Sequence, residues 1–118
     1  MIVMVFEFDV EPHEYEAYLQ ESADLRPHLG RIEGFISVER FASQATEGRF
    51  VAIGYFETEE AVTEWRSLQE HRRAQALGRR RFFTSYRLVM AEALRDYTHD
   101  RRDQAPQDSR KHMGNENV

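Results

Sequence analysis

His71 and Gln75 stand four residues apart, so a helix over this stretch presents an imidazole and an amide on one face. An imidazole accepts, donates or shuttles a proton near neutral pH, which makes His71 the first candidate for a general base. Tyr86 is the second catalytic candidate, because its hydroxyl can hydrogen-bond a quinol or enolate oxygen. Trp65, Phe82 and Phe83 offer flat apolar walls against which an aromatic ligand stacks, with Gln75 as a further polar contact. Arg87 sits within an otherwise apolar stretch, where a buried guanidinium requires a carboxylate or an anionic ligand. Asp9 and Glu39 are the internal carboxylates that could serve it. Each residue also has a structural alternative. His71 can be bonded at a subunit edge or face solvent, Trp65 can be the largest core side chain of its helix, and Arg87 can form an ion pair.

The chemistry that is missing narrows the field. The 118 residues contain no cysteine, which excludes disulfides, thiol nucleophiles, Fe–S clusters and Cys-ligated zinc. His71 has no second ligating residue nearby, so no metal is expected. Net charge is -5, and it is unevenly spread. Residues 7–64 hold fourteen acids against four arginines, whereas 66–87 hold seven arginines and only Glu70. These arginines face solvent, complement the acidic half across a dimer, or attract an anionic or enolic ligand. Arg72, Arg73, Arg79, Arg80 and Arg81 diverge around a helix and cannot all reach one pocket. The acidic half would repel a phosphate backbone, so no nucleic-acid partner is expected.

The elements that must position these groups follow from periodicity. Residues 2–10 alternate Ile2, Met4, Phe6, Phe8 and Val10 on one face, with Val3 and Val5 on the other, and predict a strand apolar on both sides. They read as a strand and not as a signal peptide, and no stretch is apolar enough to span a bilayer, so a cytoplasmic location is expected. Pro12 opens a helix whose apolar residues run to Leu29, with Gly30 as the stop and Pro27 leaving the last turn distorted or separate. A second strand is predicted at 36–43, with Ile36 and Val38 on one face, and a third at 50–56, again apolar on both faces. Gly54 in mid-strand points to a bulge or to the close approach of another group.

Thr58 caps the next helix, and the S-x-x-E pattern at Ser67 and Glu70 predicts that this helical region is split in two. A final strand runs over 84–94, with Tyr86, Leu88 and Met90 opposite Arg87, Val89 and Ala91. Residues 98–118 carry four acids, four bases and little apolar surface, and read as a flexible polar tail following a 1–97 domain.

The order β-α-β-β-α-β defines an α+β, ferredoxin-like fold with a four-stranded antiparallel sheet. Helices cover only one face of such a sheet. Strands apolar on both sides therefore require a second cover, most economically the same face of a second copy. The chain is expected to work as a homodimer, with its site toward the barrel interior and rim.

Three segments carry a family resemblance: "IEGFISVERF", "FVAIGYFETEEAVTEW" and "EHRRAQALGRRRFF". Over residues 1–97 the chain resembles the antibiotic biosynthesis monooxygenase (ABM) family of dimeric α+β barrel proteins. The resemblance implies a monooxygenase that uses no metal or flavin and acts on a small aromatic, phenolic or enolic molecule. It also admits a non-catalytic ligand-binding or partner module, and isomerase or lyase chemistry in the same cavity. Haem-degrading relatives use a strand-one asparagine, a helix tryptophan and a histidine ligand. Only Trp65 matches that set, because the first strand lacks asparagine and His71 follows the tryptophan closely, so haem degradation and a cofactor are not expected, with a haem ligand at His71 left open.

Overall fold

In the computed structural model, residues 1–77 and 83–108 are described, with side chains for all of these except 70–77. The strands are β1 (Ile2–Val10), β2 (Phe35–Ala42), β3 (Arg49–Phe56) and β4 (Phe83–Glu92); the helices are α1 (Tyr15–Leu29) and α2 (Glu59–Leu77). A short 3-10 turn at Pro12–Glu14 leads into α1, with Pro12 at its first position. The sheet order is β2-β3-β1-β4, and every adjacent pair is antiparallel. This is the ferredoxin-like α+β architecture expected from the order of elements.

Period-two alternation assigns the faces. In β1 and β3 the even-numbered residues Met4, Phe8, Val10, Phe50 and Phe56 are buried beneath the helices. Leu25 and Leu29 of α1 and Ala61, Val62 and Trp65 of α2 complete a core cluster around Met4 and Phe56. A second cluster joins Phe8, Val10 and Phe50, with Tyr15 and Tyr18 packed against it. The opposite face carries Val3, Val5, Val51, Ile53 and Tyr55, all half-buried, and among the described residues α1 and α2 pack on the other side.

Two bulges re-aim side chains that simple alternation places elsewhere. In β2 the register steps from Phe35 opposite Phe56 to Ser37 opposite Tyr55, leaving Ile36 as the extra residue. Phe35 therefore joins Val38 against the core, while Ile36, expected beside Val38, is 47% exposed. In β4 the register steps from Ser85 opposite Asp9 to Phe83 opposite Val10. The extra residue, Thr84, brings Phe83 onto the same face as Tyr86.

Two helical expectations are corrected. α2 is continuous through Ser67 and is not divided there. Thr58 is its cap, with Oγ1 accepting the Ala61 N–H at 3.2 Å. Buried Val62 and Trp65 and half-buried Leu68 form one stripe at helical spacing, so packing carries the helix across the second capping pattern. α1 likewise runs through Pro27 to Leu29, because Leu25 and Leu29 on either side of it are both buried.

Gly34 and Gly54 hold the layers close. Gly34 has φ +90°, and its carbonyl accepts the Glu57 N–H at 2.6 Å, joining the turn before β2 to the start of α2. A Cβ on Gly54 would sit 3.0 Å from Met4 Cε, so this strand glycine admits a core side chain, the close approach expected for it. Beyond β4, Ala93 N–H bonds the Met1 carbonyl, and Asp96 N–H bonds Gln104 Oε1.

Candidate functional site

A cavity of about 80 Å³ lies between the helices and the covered face of the sheet. β1 contributes Met4 and Phe6, β3 contributes Ala52, and β2 contributes Val38 and Arg40. α1 supplies Tyr18, Glu21, Ser22 and Leu25, α2 supplies Trp65 and Gln69, and β4 supplies Phe83. This candidate cavity lies under the helix layer, on the covered face of the sheet. α1 turns the polar residues Tyr18, Glu21 and Ser22 toward this cavity.

Aromatic rings dominate the wall. Trp65 is buried and meets Phe56 edge-on, with ring centres 6.2 Å apart. Phe83 packs on Phe6 at 5.4 Å, on Phe8 at 4.9 Å and on Tyr18 at 5.6 Å. Tyr86 stands beside them on the same face, 5.9 Å from Phe6 and 6.5 Å from Phe83, but is 69% exposed at the sheet edge. Trp65 and Phe83 thus line the cavity, and Tyr86 adjoins it. The side chains of His71 and Gln75, and the whole of Phe82, lie outside the described residues, as do Arg72, Arg73 and Arg79–Arg81.

Arg87 lies on the other face. Its Nη1 is 3.9 Å from Glu7, its direct register partner, and both side chains are largely exposed. Neither Asp9 nor Glu39 is its counter-ion. Asp9 instead accepts from Arg49 Nε at 3.0 Å and from Ser85 Oγ at 2.6 Å. Those two hydrogen bonds, the Arg49 one foremost, hold the Asp9 carboxyl below its usual range, and the pairing raises Arg49.

Several lining residues were not singled out by sequence reasoning, notably Tyr18, Glu21, Ser22, Arg40 and Gln69. The available signal was Arg40, a charged residue in phase with Val38 on the buried side of β2. Tyr18 and Ser22 recur at helical spacing with Leu25 and Leu29, which marks the inward stripe of α1 but gives no cue to a ligand site.

A family model described as antibiotic biosynthesis monooxygenase (ABM) matches residues 1–77, and the chain belongs to that family. Jasmonate monooxygenase ABM of Pyricularia oryzae is 31% identical over 92 residues, which is 78% of this chain and 43% of that protein. The chain therefore spans under half the length of that relative. SnoaB, a cofactor-independent oxygenase from Streptomyces nogalater solved as a point mutant, aligns with a TM-score of 0.60 at 15% identity. That match covers 80% of this chain and 94% of SnoaB. The haem-degrader MhuD from Mycobacterium tuberculosis, solved with two haems in its active site, aligns with a TM-score of 0.63 at 15% identity. It covers 83% of this chain and all of MhuD. At these identities the two structures speak for the fold.

A haem does not fit the cavity described here. Its volume is well below the roughly 300–1,000 Å³ of small-molecule sites. No imidazole appears among its described lining residues, and its polar groups are carboxylates, guanidinium, hydroxyls and an amide. The volume is also about half of the ~150 Å³ that accommodates benzene in a closed apolar cavity. An aromatic substrate therefore requires the walls to part. Among the described residues no helix is long and apolar enough to cross a membrane, and no group of three or more His, Cys, Asp or Glu could hold a metal ion.

Proposed function

We propose that this chain is a cofactor-independent monooxygenase acting on a small aromatic, phenolic or enolic substrate, and that it works as a cytoplasmic homodimer. The observation that carries the reading is the aromatic-walled cavity under α1 and α2, with Trp65 and Phe83 in its lining, in a chain of the ABM family. The names of the jasmonate monooxygenase and of SnoaB, the latter a cofactor-independent oxygenase, support the same chemistry.

In that chemistry a base removes a proton from the substrate, and the electron-rich anion reduces O₂ directly. Conversion of a CH₂ group to C=O balances the reaction: one oxygen atom enters the product, the other leaves as water, and no outside reductant is consumed. His71 on α2 is proposed as the base and Tyr86 as a hydrogen-bond donor to the developing oxyanion. Trp65, Phe82 and Phe83 stack the ring, and Gln75 fixes its orientation. Arg87, paired with Glu7 on the far face of the sheet, takes no part in this scheme.

Oxygen consumption tests the reading. A panel of polyphenols and quinols should contain a substrate whose turnover consumes O₂ and falls by about a hundredfold or more in His71→Ala. Unchanged turnover in that variant removes His71 from the mechanism. The small cavity volume favours one second reading, a non-catalytic dimeric module for a small ligand, and ligand binding without O₂ uptake would select it.

A further inference from the structure

β2 places Arg40 in phase with its core-facing residues; Glu39 of the same strand and Arg26 of α1 also reach the cavity lining. Arg40 shares the covered face with Val38 and lies opposite Ala52 of β3. It is half-buried and lines the cavity. Two groups of α1 hold it. Ser22 Oγ accepts from Nη1 at 3.2 Å, and the guanidinium carbon stands 5.4 Å from the centre of the Tyr18 ring. Ser22 and Tyr18 are one helical turn apart, so they approach the guanidinium from the same side.

A guanidinium has five N–H donors, and Ser22 takes one. Among the described residues nothing else accepts from Arg40, and no carboxylate lies within ion-pair distance of it, although Glu21 and Glu39 share the lining. Within the lining the hydroxyl and the ring face therefore offset only part of the desolvation of this half-buried cation. Among the described residues no acceptor takes the Nε–Nη2 edge. That edge presents two parallel N–H bonds, the spacing that matches both oxygens of a carboxylate, whereas a phenolate or enolate offers a single oxygen.

We propose that Arg40, clamped by Ser22 and Tyr18, is the anion anchor of the cavity, and that its ligand is the carboxylate of a small, otherwise apolar acid. The proposal rests on the oxygenase reading only in taking the same cavity as the substrate site.

The test uses the full chain, isotope-labelled, titrated with phenylacetate, with its neutral isostere phenylacetamide, and with 4-nitrophenolate. Phenylacetate should bind about tenfold or more tightly than the amide, the margin of a charge-assisted pair, and should shift the Arg40 Nε–H resonance. Arg40→Gln should lower the acid to the affinity of the amide and leave the amide unchanged. Arg40→Lys should restore only part of the difference, because a point charge lacks the fork.

Equal binding of acid and amide by the unmodified chain, including no binding of either, would overturn the proposal. So would acid discrimination that survives in Arg40→Gln, or Arg40-dependent binding of 4-nitrophenolate without that of phenylacetate. If Arg40→Gln does not fold, the acid–amide comparison and the Nε–H shift in the unmodified chain decide alone. Arg40-dependent acid binding without O₂ uptake on any aromatic substrate would end the oxygenase reading and leave the anchor. O₂ uptake on a carboxylate-bearing substrate that is unaltered in Arg40→Gln would do the reverse.

Discussion

On the helix-covered face of the sheet Met4 and Phe56 are fully buried and Trp65 nearly so, whereas on the opposite face Val5, Ile53 and Tyr55 remain half-exposed. Apart from Trp65 of α2, the same strands supply both sets at alternate positions. The covered face combines close packing around Gly54 with a small cavity at the polar side of α1. The open face combines a β-branched and aromatic patch with charge pairs at one end, Glu7 with Arg87 and Asp9 with Arg49. One side is therefore a finished core with a site in it. The other has the composition of a surface awaiting cover. Burial separates the energetic weight of residues that look equivalent in sequence.

The largest expected effect is on the covered side. Phe56→Ala removes a side chain with no exposure, and should cost roughly 3–5 kcal/mol in urea unfolding. An equal loss from Val51→Ala on the open face would erase the distinction between the two. Next comes Ile53→Asp, which puts a charge in the centre of the open patch. If that patch is the contact between two copies, light scattering at micromolar concentration should show the unmodified chain as a dimer and the variant as a folded monomer. A monomeric unmodified chain would show that the face is tolerated bare.

The charge pairs should matter less, and in a pH-dependent way. Asp9 is held below its ordinary range by Arg49 and Ser85. A depressed folded-state pKa adds stability that is fully present above the ordinary aspartate range and is lost as pH falls through the folded value. Asp9→Asn should therefore be less stable than the unmodified chain at neutral pH, and the gap should close on acidification. A gap that stays constant with pH would mean that Asp9 acts through shape alone. The smallest effect belongs to Arg87→Ala. Its 3.9 Å contact with Glu7 is largely exposed, so unfolding free energy should change by no more than about 0.5 kcal/mol.

Strand identities were legible because alternation over eight or nine residues is a strong local signal, as in Ile2–Val10 and Arg49–Phe56. Helix boundaries were less so. Ser67 and Pro27 carry real local preferences against helix, but Trp65, Leu25 and Leu29 bury enough apolar surface to override them. The aromatic half of the site, Trp65 and Phe83, stood out by residue type. The polar half did not, because Tyr18, Ser22 and Arg40 come from different elements and meet only when α1 crosses β2.

The sequence by itself determined the order of elements, the double apolar faces of β1 and β3, and the absence of thiol chemistry, since each follows from residue type and local period. Only the tertiary structure decided which face each functional side chain occupies. A single extra residue at Thr84 turns Phe83 inward beside Tyr86, and another at Ile36 brings Phe35 in line with Val38. A bulge reverses the phase of everything beyond it, and its position depends on pairing with a neighbouring strand, which no local pattern contains.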